Sequence, residues 1–101
     1  MIVAVVRFPM DPSQPAEAVR TSFEASAPAY QSIPGLVRKH FLRAEDGSEG
    51  GGVYLWESRA AAEAWYTDTW RERVTGKFGA APLIEYFESP VTVDADGVTV
   101  A

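Results

Sequence analysis

The chain has 101 residues, 47% of them hydrophobic and 23% charged, a net charge of -5, no cysteine and a single histidine. That length suits one domain around a thin core, and the composition is that of a chain that folds. Thiol nucleophiles, disulfides and thiolate metal sites are excluded, one histidine cannot build a multi-histidine centre so no metal is expected, and the acidic balance disfavours nucleic acid.

Ile2 to Phe8 is β-branched and almost wholly apolar, which predicts a strand covered on both faces and ended by Pro9. Ser13 is the expected N-cap of a first helix, with Pro15 in its opening turn and Val19, Phe23, Ala27 and Tyr30 at helical spacing; Pro28 bends or ends it. Ile33-Pro34-Gly35 reads as a turn into a mixed polar and apolar edge strand, Leu36 to Ala44. The acidic, glycine-rich Glu45 to Gly52 reads as a hairpin loop or bulge leading to a third strand, Val53 to Glu57. Ser58 is placed to cap a second helix that runs through the alanine-rich segment and past Trp70 and finishes before Gly76. Leu83 to Val93 is the last strand, interrupted at Pro90, and Asp94 to Ala101 is a tail or a small extra strand pairing elsewhere. No apolar run approaches the roughly 18 residues of a membrane span, and Met1 leads straight into strand residues with no basic leader, so a cytoplasmic protein is expected.

The order β-α-β-β-α-β predicts a single α+β domain with a ferredoxin-like, four-stranded antiparallel sheet and two helices on one face. The strands carry apolar residues at both parities, and two helices cover only one side. The same face of a second copy is the economical cover, which predicts a homodimer closed as a barrel from residues 1 to about 93.

All three tryptophans lie between Tyr54 and Trp70. On one continuous helix at about 100° per residue, Ala62, Trp65, Tyr66, Thr69, Trp70 and Arg73 share an arc of roughly 140°, and Tyr54 and Trp56 share one side of their strand. Such rings fill cores, yet Trp and Tyr carry polar atoms that leucine would not, and a guanidinium within the arc needs an anion, a ring or a ligand oxygen. Tyr54, Trp56, Trp65, Tyr66 and Trp70 are therefore the candidate binding residues for a flat aromatic small molecule, with Arg73 as the polar group and a candidate catalytic residue. Were the helix to break at Asp68, Trp70 and Arg73 would leave that face. Histidine ordinarily titrates near neutral pH, which makes His40 the candidate general base, with Arg38 on its side of the strand and Lys39 on the other.

The segments IPGLVRKHF at Ile33 to Phe41, GGVYLWES at Gly51 to Ser58, AEAW at Ala62 to Trp65 and the later Phe78-Gly79 resemble the YdhR-like monooxygenases of the dimeric α+β barrel superfamily, related in fold to antibiotic-biosynthesis monooxygenases. The resemblance implies a pocket between sheet and helices in each subunit and oxidation of a phenolic or anthrone-like substrate without flavin or metal. A substrate anion would pass an electron to dioxygen, and recombination would lead toward a quinone. Three other readings stay open: a binding dimer without turnover, an isomerase or cyclase that shares the proton-abstraction step, and a protein whose rings are core and which acts through partner contacts.

Overall fold

The structure, a computed structural model, describes residues 1–100. Strands β1 (Ile2–Pro9), β2 (Leu36–Arg43), β3 (Glu49–Trp56) and β4 (Leu83–Glu88) form one antiparallel sheet in the order β2-β3-β1-β4. Helices α1 (Ala16–Ser26), α2 (Arg59–Trp65) and α3 (Asp68–Phe78) pack on one side of it, and a 3₁₀ turn, Ala27–Tyr30, extends α1. The chain thus has the α+β, ferredoxin-like arrangement with antiparallel sheet and helices on one face. No helix among the described residues is long and apolar enough to cross a membrane.

The helix-facing side of the sheet holds the core. Ala4 and Val6 of β1 and Tyr54 and Trp56 of β3 are buried against Ala62, Tyr66 and Trp70, and Trp56 is fully excluded from solvent. Val3, Val5 and Leu55 take the opposite parity and are only half-buried, while Leu83 and Phe87 of β4 are 55% and 52% exposed on that same uncovered side.

Five local expectations are corrected. Ser13 does not cap α1: its N–H and hydroxyl both donate to Asp11 Oδ1, at 2.9 and 2.7 Å, in a local turn, and Pro15 precedes the helix without a side-chain cap. The glycine run is strand rather than loop, since β3 begins at Glu49. Gly51 has φ 151°, and a Cβ there would run into the Val6 carbonyl, so a missing side chain lets β1 and β3 approach.

The expected single second helix is two. Thr67 is a competing N-cap whose hydroxyl accepts from Trp70 N–H at 3.2 Å, and Tyr66 leaves helical geometry with ψ 61°. Gly76 does not stop α3, which runs to Phe78 and ends at Gly79 in the left-handed region, φ 82°. Finally, the chain leaves the main sheet at Glu88, and β5 (Val91–Asp94) pairs with β6 (Gly97–Val100) as a separate hairpin. Its valines 91, 93, 98 and 100 are all exposed.

Candidate active site

Between α1, α3 and the sheet lies a cavity of about 290 Å³. Phe8, Phe23, Tyr30, Phe41, Tyr54, Trp70 and Phe78 supply its rings, and its charged lining groups are three cations, Lys39, Arg73 and Lys77, with no carboxylate among them. In a chain of net charge -5 this is a local reversal of sign, and it suits a flat ligand that is an anion or can become one.

Local geometry of β2 puts Lys39 there. Leu36 pairs with Trp56 but Arg38 pairs with Leu55, so Val37 is an extra residue, a β-bulge. Beyond it the parity of the strand is reversed: Lys39 and Phe41 lie opposite Tyr54 and Gly52 on the helix side, and His40 lies opposite Val53 on the outer side. Gly52 makes room for the stem, because a Cβ there would stand 2.9 Å from Lys39 Cε and 3.0 Å from the Tyr54 ring.

The Lys39 ammonium sits over three rings, 3.6 Å from the Tyr30 centroid, 3.7 Å from Phe41 and 4.6 Å from Tyr54. None of the ion pairs in the described residues involves it. Burial pushes its titration down from 10.5 to about 7, since a charged amine loses hydration that no anion replaces. Ring faces act in the opposite sense, worth roughly 0.5–2 kcal/mol to the cation, so about 7 is the low end of its range.

The phenols are pushed the other way. Burial first, then the neighbouring Tyr30 and Tyr66, hold the Tyr54 hydroxyl well above the ordinary phenol range. Burial likewise raises Tyr66, partly offset by Trp56 Nε1–H, which donates to Tyr66 Oη at 3.2 Å. Both stay neutral at working pH and serve as hydrogen-bonding groups rather than bases. Trp65 Nε1 is buried without a hydrogen-bond partner, close enough to Tyr54 to favour its ionised form but outside hydrogen-bonding geometry.

Of the binding residues expected from sequence, Tyr54 and Trp70 line the cavity. Trp56 and Tyr66 stand behind that wall as hydrogen-bonded core, and Trp65 packs edge-on against Tyr30 at 5.7 Å. Despite the helix break, Trp70 stays buried, because the new cap at Thr67 restarts the chain with Trp70 directed at Tyr66, 4.9 Å away. Arg73 is exposed on α3 and contributes to the cavity wall at its rim. His40 is exposed on the sheet side away from the cavity. Tyr30 and Phe41 are site residues that the sequence reading did not place in the cavity, and Lys39, which it set on the opposite side of the strand from His40, is the one of that pair that enters.

Among solved structures, the chain is similar to NE2512, a protein of unknown function from Nitrosomonas europaea, with TM-score 0.71, 17% identity and 95% of each chain covered. It is similar also to the ActVA-Orf6 monooxygenase of Streptomyces coelicolor, solved in complex with nanaomycin D (TM-score 0.65, 19% identity, covering 91% of this chain and 89% of that one). A third is SnoaB from Streptomyces nogalater, described as a cofactor-independent oxygenase (TM-score 0.61, 22% identity, covering 91% of this chain and 95% of that one). At these identities the likeness establishes the fold. No curated protein matches the chain in sequence. The family described as "Putative mono-oxygenase ydhR" matches residues 3–85, which take in all three helices and the sheet apart from Ile2 and the last three residues of β4, and the chain belongs to that family.

Proposed function

We propose that the protein is a monooxygenase that oxidises a planar phenol or anthrone with dioxygen and without an added cofactor. The observation that carries the reading is the cavity: ring-walled, bounded by three cations and free of carboxylates, it suits an aromatic acid whose conjugate base is the electron donor. Family membership supports the reaction class, and a structural neighbour described as a cofactor-independent oxygenase supports the absence of a cofactor.

For an anthrone the balance is one substrate and one dioxygen giving one quinone and one water. The bound molecule first loses a proton to give an anion. The anion transfers one electron to dioxygen, and the substrate radical and superoxide join in a carbon–oxygen bond. Loss of a second C–H proton, with cleavage of the O–O bond, leaves the carbonyl and releases the other oxygen as water. Cations around the cavity stabilise the anion and the superoxide, and the ring walls exclude bulk water from both.

Oxygen uptake tests this directly. Anthrone, dithranol and a series of naphthols are supplied to protein freed of metals by chelation, with no nucleotide or flavin. One dioxygen consumed per quinone, with a single oxygen-18 label in the product, is expected. Turnover that continues under nitrogen would assign an isomerase or cyclase instead, and saturable quenching of tryptophan fluorescence without turnover would assign a binding protein.

We further propose that the uncovered side of the sheet pairs with its copy in a homodimer. Val3, Val5, Leu55, Leu83 and Phe87 give that side an apolar centre, and Arg7 and Glu85 upon it lie 3.8 Å apart and offset one another. Light scattering at micromolar concentration should give twice the chain mass, and Phe87→Asp should return it to one; a wild-type monomer refutes the pairing.

A further inference from the structure

We propose that Lys39 is the group that takes the proton from the bound phenol or anthrone, and that the ammonium so formed stays beside the anion until oxygen has reacted. The proposal rests on the oxygenase reading above and supplies its missing base.

Elimination within the cavity points to this amine. A guanidinium such as that of Arg73 does not give up its proton to act as a base, and Lys77 is exposed on α3 rather than buried among the rings. Burial keeps Tyr54 a neutral phenol. The serines at the α1 side, Ser22 and Ser26, have no histidine or carboxylate in the cavity wall to activate them. His40 lies across the sheet.

Lys39 alone combines a basic nitrogen with burial in the wall, and the absence of an anion beside it leaves its protonation to be set by whatever the cavity binds. The titratable and charged groups facing it are Tyr30 from the 3₁₀ turn, Tyr54 from β3, and Arg73 and Lys77 from α3; α1 contributes none. The two cations oppose a third positive charge, and a substrate anion removes that opposition. Proton transfer from substrate to amine therefore creates an ion pair where previously there was neither a well-hydrated cation nor a partner for one.

The proton balance closes on the same nitrogen. The neutral amine accepts the first proton and becomes ammonium, and the ammonium returns it to the peroxide anion formed with dioxygen. The free amine then removes the second C–H proton as the O–O bond breaks, and delivers it to the departing hydroxide as water. Lys39 ends as it began, and the substrate has lost two hydrogens and gained one oxygen.

Lys39 and Lys77 are the chain's only lysines, so a protein labelled with ¹³Cε-lysine gives two side-chain signals, identified with a Lys77→Arg sample. The probe is dithranol, whose ionisation is followed by absorbance under nitrogen and whose binding is followed by tryptophan fluorescence. The wild type should ionise bound dithranol at least one pH unit below the free compound, and one lysine signal should titrate far below the ordinary lysine range near pH 10. Lys39→Met and Lys39→Arg should bind dithranol within about threefold of wild type and lose at least ~100-fold in oxygen uptake; the methionine variant should also lose the ionisation shift, which the arginine variant keeps because its guanidinium stabilises the anion. The arginine variant separates proton transfer from charge, because it keeps the cation and cannot accept the proton. Oxygen uptake by Lys39→Arg equal to that of wild type, or a Lys39 signal titrating near pH 10, overturns the assignment while leaving the oxygenase reading intact. A wild type that neither binds nor ionises any member of the panel overturns both.

Discussion

Replacing Lys39 by methionine, which keeps an unbranched stem and removes the charge, should stabilise the protein at low pH and cease to do so at high pH. The amine's titration is driven from 10.5 in the unfolded chain to about 7 in the fold by burial. Below pH 7 both states are protonated and the folded state bears the full cost of an ammonium away from water. Between about 7 and 10.5 the unfolded chain still holds a proton that the folded chain has released, so stability rises with pH; above 10.5 neither state is charged.

At about 1.4 kcal/mol per pH unit the whole shift corresponds to about 5 kcal/mol. Solvent access at the cavity mouth and the faces of Tyr30, Phe41 and Tyr54 reduce that, leaving about 2–3 kcal/mol. For a domain of this size the difference is on the order of 10 °C in Tm. Urea unfolding of both proteins, followed by tryptophan fluorescence at one protein concentration, should show Lys39→Met ahead by that amount near pH 6, with the advantage shrinking steadily toward pH 9.5. The raised phenols of Tyr54 and Tyr66 cost stability only as pH passes the ordinary tyrosine range near 10, and they are common to both proteins. A difference independent of pH, or a wild type more stable near pH 6, would refute the argument, since either means that the rings compensate the ammonium fully.

Other parts of the site make separate predictions. Gly51→Ala should destabilise by more than about 3 kcal/mol or prevent folding, because its Cβ meets the Val6 carbonyl and not a movable side chain; circular dichroism and urea unfolding measure it. Tyr66→Phe should cost about 1–2 kcal/mol in urea unfolding by leaving the buried Trp56 indole N–H unpaired. Arg73→Ala, at an exposed rim position, should leave Tm within about 2 °C while raising KM for an anionic substrate several-fold, and an unchanged KM would remove Arg73 from the site. Deletion of Val37 removes the unpaired residue and leaves Leu36 opposite Trp56 and Lys39 opposite Tyr54, so Lys39 should stay on the helix side and its labelled signal should still titrate well below the ordinary lysine range near pH 10.

The architecture was legible because it depends on long, strong patterns: a β-branched first strand, aromatic-rich third and fourth strands, and helices marked by alanine runs and spaced rings. Element boundaries were less so where two local signals competed. Ser13 and Pro15 both offered a helix start, and the Asp11 carboxylate engaged the serine. Ser58 caps as expected, but a second cap at Thr67, one residue before the break considered at Asp68, divides the one expected helix into two. The glycines at 50 to 52 suggest a loop by propensity alone, yet their buried positions between β1 and β2 make small size, rather than flexibility, the property in demand.

The site itself turned on one residue. Adjacent positions on a strand face opposite sides, so the question of whether His40 or Lys39 enters the cavity is a question of parity, and Val37 settles it by adding one unpaired residue after Leu36. Nothing in the local composition marks a bulge there, whereas a histidine advertises its chemistry by residue type. A histidine facing inward would titrate near neutrality without help. Lysine reaches that range only by being buried away from anions, and a hydrated lysine would remain protonated and be useless as a base. The absence of carboxylates from the cavity and the burial of Lys39 are therefore one requirement rather than two, and both are met by the elements that supply the rings: Tyr30 closes over the amine from the end of α1, while Gly52 admits its stem beside Tyr54.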